Sequence, residues 1–293
     1  MSTFFCNHAT YIIYRHIGRV KRTKTGDDNR KNFGYNKKEL MLKDYKMDNV
    51  VVKNTWKQYW VQNKKINWFL DHMSKTILSE LLRNCGAVVN TKVLEAGCGS
   101  GVISAEVATF GADVHLMDIS RDALEVARAS FFSRDVPGTF IQGDIFYPPF
   151  GTETFDLVWN AGVLEHFGDE TQSVVIRNIA RIIKPGGFFI VFNPYDRAFF
   201  YRIGKKFAEL KGTWPYGPEI PVKSLRDKCI AAGFTVLREY PICFDENVLF
   251  ISYVSKYLKS VLKLMFKPFS EQFLIKTFGG YLLATVAVKN KLE

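Results

Sequence analysis

Two kinds of apolar spacing alternate along this chain, and their alternation predicts its fold. From Ile66 onward, Phe69, Leu70, Met73, Ile77, Leu78, Leu81 and Leu82 recur at intervals of three and four. That is the period of a helix with one buried face, and Gly86 marks its end. Short β-type runs follow, at Lys92–Ala96, Asp113–Asp118, Thr139–Gln142, Phe155–Asn160 and Phe188–Asn193. Helical patterns separate them near Val102–Phe110, Arg121–Phe132 and Thr171–Ile183. Such alternation predicts an α/β fold, a doubly wound, mostly parallel sheet with helices on both faces. Pro185-Gly186-Gly187 is expected to end the last of these helices and turn the chain into the following strand.

Past Asn193 the alternation stops. Residues 194–221 carry Tyr195, Phe199, Phe200, Tyr201, Trp214 and Tyr216 and read as a lid or insertion. A helix is expected at Val222–Ala232, then strands at Phe234–Glu239 and Tyr281–Lys289. The intervening residues 243–280 far exceed what a tight hairpin needs and form a second insertion with a task of its own.

Composition narrows the class. The chain has 293 residues, 47% hydrophobic and 24% charged, which suits one large globular core with extensions and excludes a disordered or fibrous protein. No apolar run approaches the roughly 18 to 20 residues of a spanning helix. The N-terminus has no basic stretch ahead of a long apolar segment, so no secretory signal is expected. The five cysteines, Cys6, Cys85, Cys98, Cys229 and Cys243, lack the paired spacing of a metal or redox site; the expectation is a reducing cytoplasm and no bound metal. Of the formal net charge of +11, much is local, since residues 1–50 hold 11 basic and 5 acidic residues. A mobile, solvated basic extension is the favoured reading of that block over a nucleic-acid arm. The folded part is expected from about Val51.

The segment richest in chemistry is Val93-Leu94-Glu95-Ala96-Gly97-Cys98-Gly99-Ser100-Gly101, a buried strand entering a glycine-rich turn and then a helix. Glycines let the backbone turn sharply and let a ligand approach closely. At the end of the next strand stands Asp118, a carboxylate suited to a ribose diol. Two nucleoside ligands fit such a frame, a nicotinamide dinucleotide and S-adenosylmethionine. Dinucleotide turns favour a glycine five positions after the first, where this chain has Val102. Glu95 would also repel a pyrophosphate, whereas it favours an ammonium or sulfonium ligand.

With these residues in order, the sequence resembles the class I S-adenosylmethionine-dependent methyltransferases over about Val93 to Phe192. The first matching motif is Glu95 to Gly101, followed by Asp118, Gly143-Asp144-Ile145, the run Phe155 to His166, and Lys184-Pro185-Gly186-Gly187. The resemblance implies a seven-stranded Rossmann-like sheet with an antiparallel last strand. It further implies that the glycine turn faces the methionine part of the cofactor, that Asp118 binds the ribose and that Asp144 caps the adenine amino group. The candidate cofactor residues are thus Glu95, Gly97, Cys98, Gly99, Gly101, Asp118, Ile119, Asp144, Ile145 and Asn160. The domain runs over about 51–293, interrupted by the two insertions.

Methyl transfer from a sulfonium is an in-line displacement on an activated donor, so alignment supplies much of the rate. His166, with Glu165 beside it after the fourth strand, is the candidate for removing a proton from the acceptor. Asn193-Pro194-Tyr195 resembles the motif of enzymes that methylate base amino groups, but it follows the fifth strand rather than the fourth and has one proline. Trp56-Lys57-Gln58-Tyr59-Trp60 reads equally as a segment that closes over the cofactor, where aromatic faces favour a sulfonium, or as the packed face of an N-terminal helix. Finally, Leu249–Phe266 and the following Lys267 combine helical apolar spacing with Lys256, Lys259, Lys263 and Lys267, a basic amphipathic pattern able to meet an anionic membrane or to pack as a lid. The expected function is methylation of a small-molecule acceptor, lipophilic if the membrane pattern is used. Methylation of RNA or protein, and a cofactor-binding scaffold without activity, are the rivals.

Overall fold

The computed structural model describes residues 54–56, 58–60 and 69–291. The predicted N-terminal extension, residues 1–50, lies outside them. Seven strands form one sheet: β1 (Lys92–Ala96), β2 (Asp113–Asp118), β3 (Thr139–Gln142), β4 (Phe155–Ala161), β5 (Ile183–Pro194), β6 (Phe234–Ile242) and β7 (Leu282–Lys289). Their order is β3-β2-β1-β4-β5-β7-β6. All pairs through β5 are parallel, and β7 runs antiparallel to both β5 and β6. The expected doubly wound sheet with an antiparallel last strand is therefore present.

The helices are α1 (His72–Cys85), α2 (Val102–Thr109), α3 (Arg121–Phe132), α4 (Asp169–Ile182), α5 (Phe199–Leu210), α6 (Arg226–Ala231), α7 (Phe244–Leu249), α8 (Lys256–Phe266) and α9 (Glu271–Phe278). Local chemistry sets several starts. Asp71 caps α1 by accepting the Ser74 N–H at 2.8 Å, and Ser120 caps α3 by accepting that of Ala123. Central strands are buried on both faces, which is why they read as continuous apolar runs. In β5, Phe189 and Val191 enter one core cluster while Ile190 and Phe192 enter the other. A third, smaller cluster of Phe200, Phe244, Val248, Ile251 and Leu274 knits the two insertions together.

Three local expectations need correction. Pro185-Gly186-Gly187 is not a helix-to-strand turn but lies within β5. Between the pairs Phe155↔Ile183 and Leu157↔Phe188, β5 advances five residues while β4 advances two, so the segment forms an irregularity that bulges from the ladder. The helix expected at Val222–Ala232 shrinks to Arg226–Ala231, because Val222 is taken up in a bridge to Tyr195 and donates its N–H to the Pro194 carbonyl at 2.8 Å. The amphipathic run Leu249–Phe266 is broken by a 3-10 turn at Phe250–Tyr253, and α8 begins afresh with Ser255 as its cap. Of the cysteines, Cys85, Cys98, Cys229 and Cys243 are free thiols, and no described helix is long and apolar enough to cross a membrane.

Candidate functional site

Strands β1, β2 and β4 all end at one edge of the sheet, where an open α/β sheet places its ligand crevice. The β1–α2 turn is fixed by its neighbours: the N–H groups of Gly97 and Cys98 donate to the Met117 carbonyl at 2.7 and 3.1 Å. Gly101 sits at φ +61°, where a Cβ would lie 2.6 Å from Leu116 Cδ2 and 3.0 Å from Ala127 Cβ. Only glycine accommodates both the left-handed backbone and that approach. Asp118 braces the same turn. Its two carboxylate oxygens accept the Gly99 N–H at 2.9 Å and the Ser120 N–H at 2.8 Å. Burial raises its pKa, and those two amides work in the opposite direction. The Asp118 carbonyl in turn accepts the Gly143 N–H at 3.0 Å, drawing in the loop that carries Asp144. Asp144 accepts the Phe146 N–H at 3.0 Å, and Ile145 is buried behind it.

Among the described residues, Glu95 and Asn160 bring unpartnered side-chain atoms to this crevice. Glu95 is 6% exposed with Oε2 unpartnered, and burial, aided by the Asp118 charge, pushes its carboxyl up to about 8. Asn160, at the end of β4, is fully buried with neither side-chain atom bonded. Buried polar groups without a protein partner are rare and leave donors and acceptors open to a water or a ligand. An orphaned acceptor two residues before the glycine turn is where an ammonium group is needed, so the donor set fits S-adenosylmethionine. The residues of the Trp56–Trp60 segment that the structure describes are helical and lie over the site. The Trp60 ring reaches within 2.8 Å of where a Gly99 Cβ would stand, and Trp56 meets the His166 ring edge-on at 5.4 Å between centroids.

The second half of the crevice is assembled from distant segments. His166 lies in a 3-10 turn, Leu164–His166, directly after β4. Its side chain is only 4% exposed, and burial lowers its pKa below the ordinary value. Nδ1 lies 3.0 Å from the Pro218 carbonyl, which can only accept, so Nδ1 carries the proton and Nε2 keeps its lone pair. Glu165 is buried, accepts the Asn193 amide at 2.8 Å and stands 4.0 Å from His166 Nε2. Burial pushes Glu165 up to about 7.

Glu219, which sequence reasoning missed, faces the same cluster. It accepts the Tyr201 hydroxyl at 3.0 Å and lies 4.0 Å from Lys205 Nζ. Burial first and the neighbouring Glu165 second push it up to about 7. One ligand atom from each of Glu165, His166 and Glu219 lies within 4.8 Å of the others, close enough to hold a metal ion. Their charge is balanced by retained protons and by Lys205, whose ammonium also stacks over the Trp214 ring at 4.7 Å. Trp214 meets Tyr216 at 5.3 Å and Phe250 at 5.9 Å, and Phe250 meets Tyr281 at 4.8 Å, making a continuous aromatic wall.

Comparison with known proteins meets this geometry. Residues 94–191 match the family described as a methyltransferase domain. The ubiquinone biosynthesis O-methyltransferase of Proteus mirabilis is 33% identical over 130 residues, 42% of this chain and 51% of that one. Its counterpart from Photorhabdus laumondii is 35% identical over 128 residues, 41% of this chain and 51% of its own. The chain thus spans about half the length of the curated relatives it matches. Among solved structures, the magnesium protoporphyrin IX methyltransferase of Synechocystis PCC 6803, with bound S-adenosylhomocysteine, superposes with a TM-score of 0.57 at 17% identity. The match covers 83% of this chain and all of that one, a likeness of fold. Residues 94–191 thus carry a methyltransferase domain, on the fold of the class I S-adenosylmethionine-dependent methyltransferases.

The structure places Glu95, Gly97, Cys98, Gly99, Gly101, Asp118, Asp144 and Asn160 at one edge of the sheet. Ile119 follows Asp118, and its carbonyl accepts the Gln142 amide at 3.2 Å. Cys98 is buried, and burial holds its thiol well above the ordinary value, so it acts as an inert wall. Asn193 lies within β5 and braces Glu165 through its side-chain amide. Glu219, Lys205 and Tyr201 carried no spacing signal. Only the aromatic density of residues 194–221 hinted at them.

Proposed function

We propose that this protein transfers the methyl group of S-adenosylmethionine to a hydroxyl of a lipophilic small molecule, with His166 as the general base. The reading is carried by one observation: a buried, neutral imidazole after β4 whose Nδ1–H is held by the Pro218 carbonyl, so that Nε2 keeps its lone pair, 4.0 Å from Glu165. Bound there, S-adenosylmethionine supplies a methyl group already activated on a sulfonium.

The residues of this chain do the rest. Glu95 and Asn160 offer their unpartnered atoms to the amino-acid end of the cofactor, and Asp118, held rigid by two amides, offers its remaining lone pairs to the ribose. The aromatic wall excludes water and takes an apolar ring. His166 Nε2 receives the acceptor's proton, and the ionised form of the neighbouring Glu219 favours the imidazolium that forms. The hydroxyl acceptor is supported by the two O-methyltransferase relatives.

Labelled-methyl transfer over a panel of phenols and catechols with apolar tails tests this. His166→Gln should lower turnover about 10²- to 10⁴-fold while cofactor affinity stays unchanged. Turnover of the wild type should fall only as pH drops below the ordinary histidine range, because burial lowers the His166 pKa and protonation removes the base. A His166→Gln variant as active as the wild type would remove the base from the account.

A further inference from the structure

From the exposed flank of α8 we infer that the second insertion is a docking surface for an anionic lipid bilayer. α8 packs on the domain through Leu262 and Phe266, which join the small core of the insertions, and none of its residues is fully buried. At 3.6 residues per turn, Leu258, Met265, Val261 and Leu264 fall on one side of that seam. Lys256, Lys263 and Lys267 fall on the other. Tyr257, Val261, Leu264 and Met265 are each more than half exposed, as are Phe269 and Phe273, whose rings stack at 5.4 Å just after the helix. A soluble surface scatters such residues singly; a contiguous set marks an interaction face.

Charge selects the occupant. From Phe250 to Ser270 there are four lysines and no aspartate or glutamate. An exposed apolar flank beside a row of lysines, in a run without acidic residues, matches the headgroup and acyl boundary of an anionic membrane, with the helix lying in the plane. At about 1.5 Å per residue an 11-residue helix is far too short to cross one. Tyr201, Trp214 and Phe250 join this insertion to the aromatic wall of the site, so a docked domain faces the bilayer beside its acceptor pocket. That link to a lipophilic acceptor rests on the proposed function, whereas docking itself is read without cofactor or acceptor.

The test uses the full chain in co-sedimentation with phosphatidylcholine vesicles, with and without about one quarter phosphatidylglycerol. The wild type should partition about tenfold or more in favour of the anionic vesicles, and less so as salt rises. The triple variant Lys256→Glu, Lys263→Glu, Lys267→Glu should lose that preference. The pair Val261→Ser, Leu264→Ser should lower partitioning at unchanged charge. Both alter exposed positions, and unchanged melting temperatures confirm intact folds. A triple variant that binds as the wild type does would overturn the inference, since the basic N-terminal residues would then carry the attachment. A wild type that ignores both vesicle types and runs as a dimer split by Leu264→Ser would overturn it too, assigning the face to a second copy.

Discussion

At the cofactor end of the crevice each fixed group is held by the sheet ladder or by a near neighbour, whereas at the acceptor end the groups converge from segments far apart in the chain. Gly97, Gly99 and Asp118 are positioned by β1 and β2, which pair directly, with Ala96 opposite Met117. His166 is held by Pro218, 52 residues on, and the Tyr201 backbone N–H donates to the side-chain oxygen of Asn247, 46 residues on. The difference follows from what each end must do. A methyl donor is the same whatever it methylates, so its cradle belongs to the sheet itself. An acceptor varies, and its pocket is built from insertions that change without disturbing the ladder.

The contrast breaks most sharply at two glycines of like backbone. Gly101 at φ +61° is crowded by Leu116 and Ala127, while Gly212 at φ +65°, after α5, has nothing within 4 Å of a Cβ. Gly101→Ala should cost about 3 kcal/mol, from left-handed strain and overpacking together. Gly212→Ala should cost only about 1 kcal/mol, from strain alone. Urea midpoints of the two variants measure this, and equal losses would deny the cofactor end its special rigidity.

A smaller effect sharpens the same comparison. Asp118→Asn replaces one acceptor by an amide that must face the N–H of Gly99 or Ser120. Cofactor affinity should fall about 10- to 100-fold, the worth of a charged hydrogen bond, with the acceptor KM unchanged. A raised acceptor KM at unchanged cofactor affinity would place Asp118 at the wrong end.

The same contrast explains what the sequence revealed. β1, β2 and β3 lie where their apolar runs predict, because each is bounded by glycine or a capping residue acting locally. The groups proposed to hold the cofactor were legible because one turn and the next strand end carry most of them. Pro185-Gly186-Gly187 misled because a strand can absorb a glycine pair as a bulge when its neighbour supplies the ladder. Val222 misled because its pairing partner, Tyr195, lies in another segment. Glu219 and Lys205 were invisible for a related reason: a buried carboxylate and a buried ammonium look like surface charges until tertiary packing encloses them.

Glu95 links the cofactor end to solution conditions. Its carboxyl, raised to about 8, keeps a proton in the folded protein that the unfolded chain gives up in the ordinary carboxylate range. Folding thus binds the proton, and the empty domain loses stability as pH rises from that range through about 8. A cation at Oε2 reverses the preference and favours the charged form.

Calorimetric titration with S-adenosylmethionine at about pH 6.5, where the ligand amine is protonated, in buffers of different ionisation enthalpy tests the central claim most directly. Saturable binding with release of up to about one proton per site, abolished by Glu95→Gln, is the predicted result. No heat at millimolar ligand, or displacement by a nicotinamide dinucleotide, would contradict it.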